Sequence, residues 1–147
     1  MKSYLIDPLK QEITPLDYNG DYRSLYTLLE CQTFDVAVVQ AGDEELSLYI
    51  DDEGLFVESQ AFFMIDGRVL AGKSAVLGCD DEGDTIGVNI ELDELRKRVS
   101  WVTKRFAMAA IQYGIDAALA RAVSLGMHVD RTEFGFVAFP LDTSRKA

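Results

Sequence analysis

The chain has 147 residues, 48% of them apolar and 27% charged, with a formal net charge of −11. It is long enough to bury a core, too rich in Leu, Ile, Val and Phe for the disordered class, and it lacks an apolar run near the ~18 residues of a membrane span. Residues 1–95 hold 21 acidic and 5 basic side chains, whereas residues 96–147 hold 4 and 9, a segregation that concerns partners more than fold.

The opening Met1–Asp7 meets a charge too early for a signal peptide, so a cytoplasmic protein is expected. Ser3–Asp7 reads as a short strand stopped by Pro8, and Glu12–Leu16 as a second extended piece. Asn19-Gly20-Asp21 is a turn, with Asp21 the N-cap of a helix to about Cys31. Its apolar residues recur at Tyr22, Leu25, Tyr26, Leu28 and Leu29. Phe34–Val39 reads as a buried strand, followed by the polar turn Ala41–Glu45. Leu46, Leu48 and Ile50 alternate with Ser47 and Tyr49 in the next strand. Asp51-Asp52-Glu53-Gly54 closes it and Leu55–Val57 restarts a strand, the pattern of a hairpin. Phe62–Ile65 leads into an Asp66-Gly67 turn. Val69-Leu70 and Ala75–Leu77 read as extended, then Asp80–Asp84 is a second acidic turn, and Thr85–Val88 is a strand.

The strongest periodicity follows. Leu92, Leu95, Val99, Val102, Phe106, Ala109 and Tyr113 alternate steps of three and four, which predicts one long helix. Glu91, Asp93 and Glu94 suit its first turn. Gly114 interrupts it, Asp116 caps a second helix to Leu125, and Phe134–Phe139 is a last strand. The fold expected is α+β: a mainly antiparallel sheet with one short N-terminal helix and a long C-terminal helical segment, in a single domain over 1–147.

Four motifs bear on chemistry. Gly67-Arg68-Val69-Leu70-Ala71-Gly72-Lys73-Ser74 satisfies the P-loop expression letter for letter. Nucleotide binding through Gly67, Gly72, Lys73 and Ser74 would need a helix after it, and Ala75–Asp81, with Gly78 and an acidic turn, predicts none. The acidic turns, with Asp43, Glu44, Glu45, Asp51, Asp52, Glu53, Asp80, Asp81, Glu82 and Asp84, lack the spacing of a calcium loop and read as solvated carboxylates able to meet a cationic partner. Cys31 and Cys79 read as free thiols, and the single His128 as a loop residue. With so few soft ligands no metal is expected, and no cofactor either. Arg96-Lys97-Arg98 and Lys104-Arg105 around Trp101 read as charge compensation inside the protein, because a net charge of −11 opposes direct nucleic-acid binding. The stripe Leu92, Leu95, Val99, Val102 and Phe106 reads either as a helix packed on a sheet or as a homo-oligomer seam.

Asp51-Asp52-Glu53-Gly54-Leu55, then Leu70–Gly78, then Asp81–Asp84 and an acidic helix start resemble a family of uncharacterised small phage- and plasmid-borne proteins. Ile6-Asp7-Pro8 and the Tyr26–Cys31 helix fit the same pattern. The resemblance covers about residues 3–98, leaving 99–147 as a helical C-terminal extension. It implies that Gly72-Lys73-Ser74 belongs to a β segment, that the chain comes from a mobile element, and hence that its compartment is the host cytoplasm. It implies no activity and no catalytic residue. Binding is therefore favoured over catalysis: an accessory protein acting on a host macromolecule, in one form an acidic inhibitor of a host protein that normally binds nucleic acid. A small-ligand or nucleotide binder and a homo-oligomeric module are the alternatives. No membrane partner is expected.

Overall fold

The structure is a computed structural model. It describes residues 1–124, 128–132 and 135–139, with side chains for 1–120 and 124. In chain order the first elements are β1 (Lys2–Asp7), β2 (Glu12–Asp17), α1 (Arg23–Leu29), β3 (Phe34–Ala41) and β4 (Glu44–Asp51). A single 3-10 turn, Gly54–Phe56, precedes β5 (Phe62–Ile65), β6 (Arg68–Ala71), β7 (Ser74–Cys79) and β8 (Thr85–Ile86). Then come α2 (Leu92–Arg98), β9 (Val99–Val102), α3 (Lys104–Tyr113), α4 (Ile115–Ser124), β10 (His128–Thr132) and β11 (Gly135–Phe139).

Every paired strand is antiparallel. One sheet has the order β2-β1-β7-β4-β3, with β8 attached to β7; a three-stranded sheet has the order β6-β5-β9; β10 and β11 form a hairpin, and β11 lies near β9. Alternation of side chains across each strand then builds the layers. Tyr4, Ile6, Leu46, Leu48 and Val76 leave the larger sheet on one face and meet Phe63, Ile65 and Leu70 of the smaller sheet, with Leu95 beside them. From the opposite face of the smaller sheet, Phe62, Met64 and Val102 meet Phe106, Ala107 and Ala110 of α3 and Ala118 of α4. On the outer face of the larger sheet, Ala75 and Leu77 are covered by Leu25 and Leu29 of α1. The order of layers is α1, large sheet, small sheet, then α3 with α4.

The expectation of a long C-terminal helical segment is overturned. Three short helices replace it, and a strand separates the first two. Val99-Ser100-Trp101-Val102 pairs residue by residue with Ile65-Met64-Phe63-Phe62 of β5. Since β5 is buried on both faces, its open edge needs an apolar partner strand, and two valines and a tryptophan suit one. Val99 and Trp101 pack with the inter-sheet core, and Val102 with the helical layer. The three-and-four spacing is therefore shared out by a period of two. Thr103 marks the restart of helix: its hydroxyl accepts the Phe106 N–H at 3.1 Å. The chain enters β9 at Val99 directly from α2, with no linker.

Two smaller readings also change. Leu55–Val57 is a 3-10 turn and its exit rather than a strand. Phe34–Val39 lies on the sheet edge, with Val36 and Val38 exposed instead of buried. That edge is protected in the manner of natural sheets: the Asp35 carboxylate accepts the Val36 N–H at 2.8 Å, and the Arg68 guanidinium donates to the Val38 carbonyl at 3.3 Å. Asp66 and Gly67, with φ of 44° and 82°, make the two-residue turn between β5 and β6, a conformation in which glycine carries no Cβ penalty.

The helix boundary at α1 falls one residue past Asp21, yet Asp21 still caps it, accepting the Arg23 N–H at 3.0 Å and its Nε at 3.1 Å. The Arg23 side chain holds the Asp21 carboxyl below its ordinary range, with the Arg23 backbone N–H adding to the effect. A lowered carboxylate pKa stabilises the fold above the ordinary value, and the benefit fades as pH falls through the lowered one. Asp21→Ala should accordingly lower Tm slightly at pH 7, with the gap to wild type closing in acid; thermal melts from pH 7 to pH 2 check this.

Candidate functional site

The P-loop-like run does not take P-loop geometry. Gly67 completes a hairpin turn, Arg68–Ala71 is β6, and Ser74 opens β7, so the run carries the chain from the small sheet to the large one. A strand follows where a phosphate-binding loop needs a helix. Ser74 is fully buried between Ile6 of β1 and Ile50 of β4, and its hydroxyl has no hydrogen-bond partner among the described residues. Ser3, also buried, is by contrast satisfied: it donates to the Leu16 carbonyl at 2.6 Å and accepts the Tyr18 N–H at 3.1 Å. An unpaired buried hydroxyl costs about 1–3 kcal/mol. Ser74→Ala is expected to stabilise the protein by about 1 kcal/mol in urea denaturation.

The acidic turns separate into two groups. Ser47 of β4 faces Leu77 of β7 in antiparallel register, so the β3–β4 turn and the β7–β8 turn lie at the same end of the large sheet. Asp43, Glu45, Asp81, Glu82 and Asp84 are exposed there. Two of their neighbours are occupied with structure. The Glu44 carboxylate accepts the N–H groups of Asn89 and Ile90 at 2.7 and 2.8 Å, tying down the entry to α2. Asp80 accepts the Glu82 and Asp84 N–H groups at 3.0 and 2.8 Å. Asp51, Asp52 and Glu53 belong to the other end of the same sheet, where Ile50 faces Ser74. There Asp51 accepts the Glu53 N–H at 2.9 Å.

That second end holds a cleft of about 320 Å³. The β1–β2 turn, the end of α1, the end of β4, the 57–61 loop and the Gly72-Lys73 linker meet around it. Asp7, Glu30, Asp51 and Glu58 line it with carboxylates, and Lys73 is the single cation, 3.4 Å from Glu30. Leu9 and Val57 form its apolar lip, and Leu55 and Phe56 precede Val57 in the chain with their side chains exposed, Phe56 by 86%. Gln60 braces the loop by donating to the Gly54 carbonyl at 2.8 Å, and its side chain packs so closely on Gly72 (φ +80°) that a Cβ there would stand 3.1 Å from it. Sequence reasoning placed Leu55–Val57 in a strand and so missed this cleft; it found Lys73 through a motif that does not apply.

The basic residues divide as well. Arg98 bridges Asp66 at 3.2 Å and Glu94 at 3.2 Å, and Arg96 pairs with Asp93 and donates to the Ile13 carbonyl. Lys97, Lys104 and Arg105 are exposed and make no ion pair among the described residues. Most of the apolar stripe is interior: Leu95 belongs to the inter-sheet core, with Leu92 and Val99, half-buried, packed against it, and Val102 and Phe106 belong to the helical layer. Cys31 and Cys79 are free thiols; burial, and then the Asp51 charge, push the Cys31 pKa up. His128 stands in β10, with its side chain outside the described residues. Among those residues no cluster of three His, Cys, Asp or Glu side chains could hold a metal ion, and no helix is long and apolar enough to cross a membrane.

Fold and site together define an antiparallel, two-sheet α+β sandwich with carboxylate-rich surfaces at both ends of its larger sheet and an apolar-lipped cleft at one of them. In comparisons with protein-family models, with curated proteins and with solved structures, the chain matches none.

Proposed function

We propose that this chain is a non-catalytic binding protein of phage or plasmid origin that engages a host protein through its acidic surface. The mobile-element origin rests on the resemblance of residues 3–98 to phage- and plasmid-borne proteins. The observation that carries the binding role is the convergence of two distant turns: Asp43 and Glu45 from one, and Asp81, Glu82 and Asp84 from the other, stand exposed at one end of the large sheet. Closely spaced carboxylates on a firm scaffold compete with nucleic-acid phosphates for a cationic groove, so the partner of this reading normally binds nucleic acid. Enclosure of Ser74 and of Leu95, Val102 and Phe106 weighs against the nucleotide and seam alternatives.

Affinity capture from host lysate tests the reading. One identified nucleic-acid-binding protein should be retained at low salt, released when salt shortens the screening length, and displaced by duplex DNA. The triple variant Asp81→Asn/Glu82→Gln/Asp84→Asn should retain far less of it. Capture that is insensitive to both salt and DNA would refute the acidic-competitor role.

A further inference from the structure

The geometry points to a second docking site, the cleft at the far end of the large sheet, which takes a basic peptide segment carrying apolar side chains between its cations. The site is independent of the acidic turns at 43–45 and 80–84, which lie at the other end of β4 and β7. Its occupant follows from two properties of the cleft.

The first is charge. Four carboxylates, those of Asp7, Glu30, Asp51 and Glu58, face a single ammonium, Lys73. Asp7 is buried at 5% exposure, and its Oδ1 accepts the Leu9 and Lys10 N–H groups at 3.1 and 3.3 Å, so the turn itself fixes this side chain at the cleft. The excess of negative charge favours a guest that brings cations.

The second is the lip. Leu9, 76% exposed, and Val57, 45% exposed, form it, and Leu55 and Phe56, just before Val57 and outside the lining, extend it into a run of three exposed apolar residues. A monomer seldom leaves such a run in water without a partner to cover it. A polar cation, such as a polyamine, would leave that lip wet, whereas a peptide with apolar residues beside its arginines covers it. At about 320 Å³ the cleft has room for one or two side chains of such a segment. Lys73 already stands where such a guest's cation would sit, paired with Glu30, and it competes with the guest.

Fluorescence anisotropy with two blocked, labelled octapeptides at physiological salt tests the site: one alternates arginine and leucine, the other arginine and serine. The arginine–leucine peptide should bind saturably at one per chain, and the arginine–serine peptide at least about tenfold more weakly. Val57→Ser should weaken the first by about tenfold, and Glu30→Lys/Glu58→Lys by at least about tenfold. Lys73→Met should tighten it about threefold, because it removes the competing charge. Glu30, Val57 and Glu58 are all exposed, and unchanged melting curves will separate lost binding from lost folding. Equal binding of both peptides, no saturable binding, or indifference to Val57→Ser and the charge reversal each overturns the site. Self-association abolished by Val57→Ser would also overturn it, by placing a second copy there.

Discussion

Leu95→Glu is expected to unfold the protein rather than to release a folded monomer. Leu95 has no exposed surface and sits on α2 against the inter-sheet core, with Phe63, Ile65 and Leu70 of the small sheet in the same cluster. A carboxylate placed there would lose its water, and the cation one turn along α2, Arg98, is already engaged by Asp66 and Glu94. Such a group costs several kcal/mol, added to the ~2–5 kcal/mol of lost leucine packing. The sum rivals the whole stability of a domain, about 5–15 kcal/mol. Circular dichroism and size exclusion should report an expanded chain with lost β signal, and Leu95→Ala should fold with its stability lowered by ~2–5 kcal/mol. A compact, monomeric Leu95→Glu protein would mean that this residue faces a partner copy, and that α2 does not close the inter-sheet core.

Arg98→Met is expected to cost about 2–3 kcal/mol, between the values for exposed and fully buried ion pairs. The Arg98 side chain is 11% exposed and Asp66 17%. Its guanidinium joins the C-terminal end of α2 to the β5–β6 turn through Asp66, and to Glu94 within the helix. Removing it leaves the Asp66 carboxylate, 17% exposed, without its cation, which accounts for most of the penalty, whereas Glu94, 41% exposed, keeps its water. Urea denaturation of Arg98→Met, Asp66→Asn and the double variant forms the thermodynamic cycle. The double variant should be more stable than the sum of the single losses implies, by about 1 kcal/mol or more. A loss below about 0.5 kcal/mol for Arg98→Met would reduce the contact to an ordinary surface pair. The pair also bears on the charge segregation, since part of the positive C-terminal half is consumed in holding the acidic half together while Lys97, Lys104 and Arg105 stay exposed.

Much of the local structure is legible in the residues. The alternation of Leu46, Leu48 and Ile50 with Ser47 and Tyr49 sends the first set into the inter-sheet core and Tyr49 to the α1 side. Asp66-Gly67 turns the chain where a two-residue hairpin needs positive φ at both positions. Leu25 and Leu29 carry α1 onto the outer face of the large sheet. The candidate site was less legible. Its carboxylates are spread over the β1–β2 turn, α1, β4 and the 57–61 loop, and no linear motif links segments that meet only when the sheet forms.

By itself the sequence determined the strands that alternate, the tight turns, the first helix and the segregation of charge, because each follows from residues within a few positions of one another. Tertiary structure alone decided three matters. It made Val99–Val102 a strand, since the open edge of β5 offered hydrogen bonds and burial on both faces that a continued helix could not supply. It enclosed the Ser74 hydroxyl by setting β7 between β1 and β4. And it divided one acidic composition into two surfaces, because antiparallel pairing of β4 with β7 carries the turns at 43–45 and 80–84 to one end and the turn at 51–53 to the other.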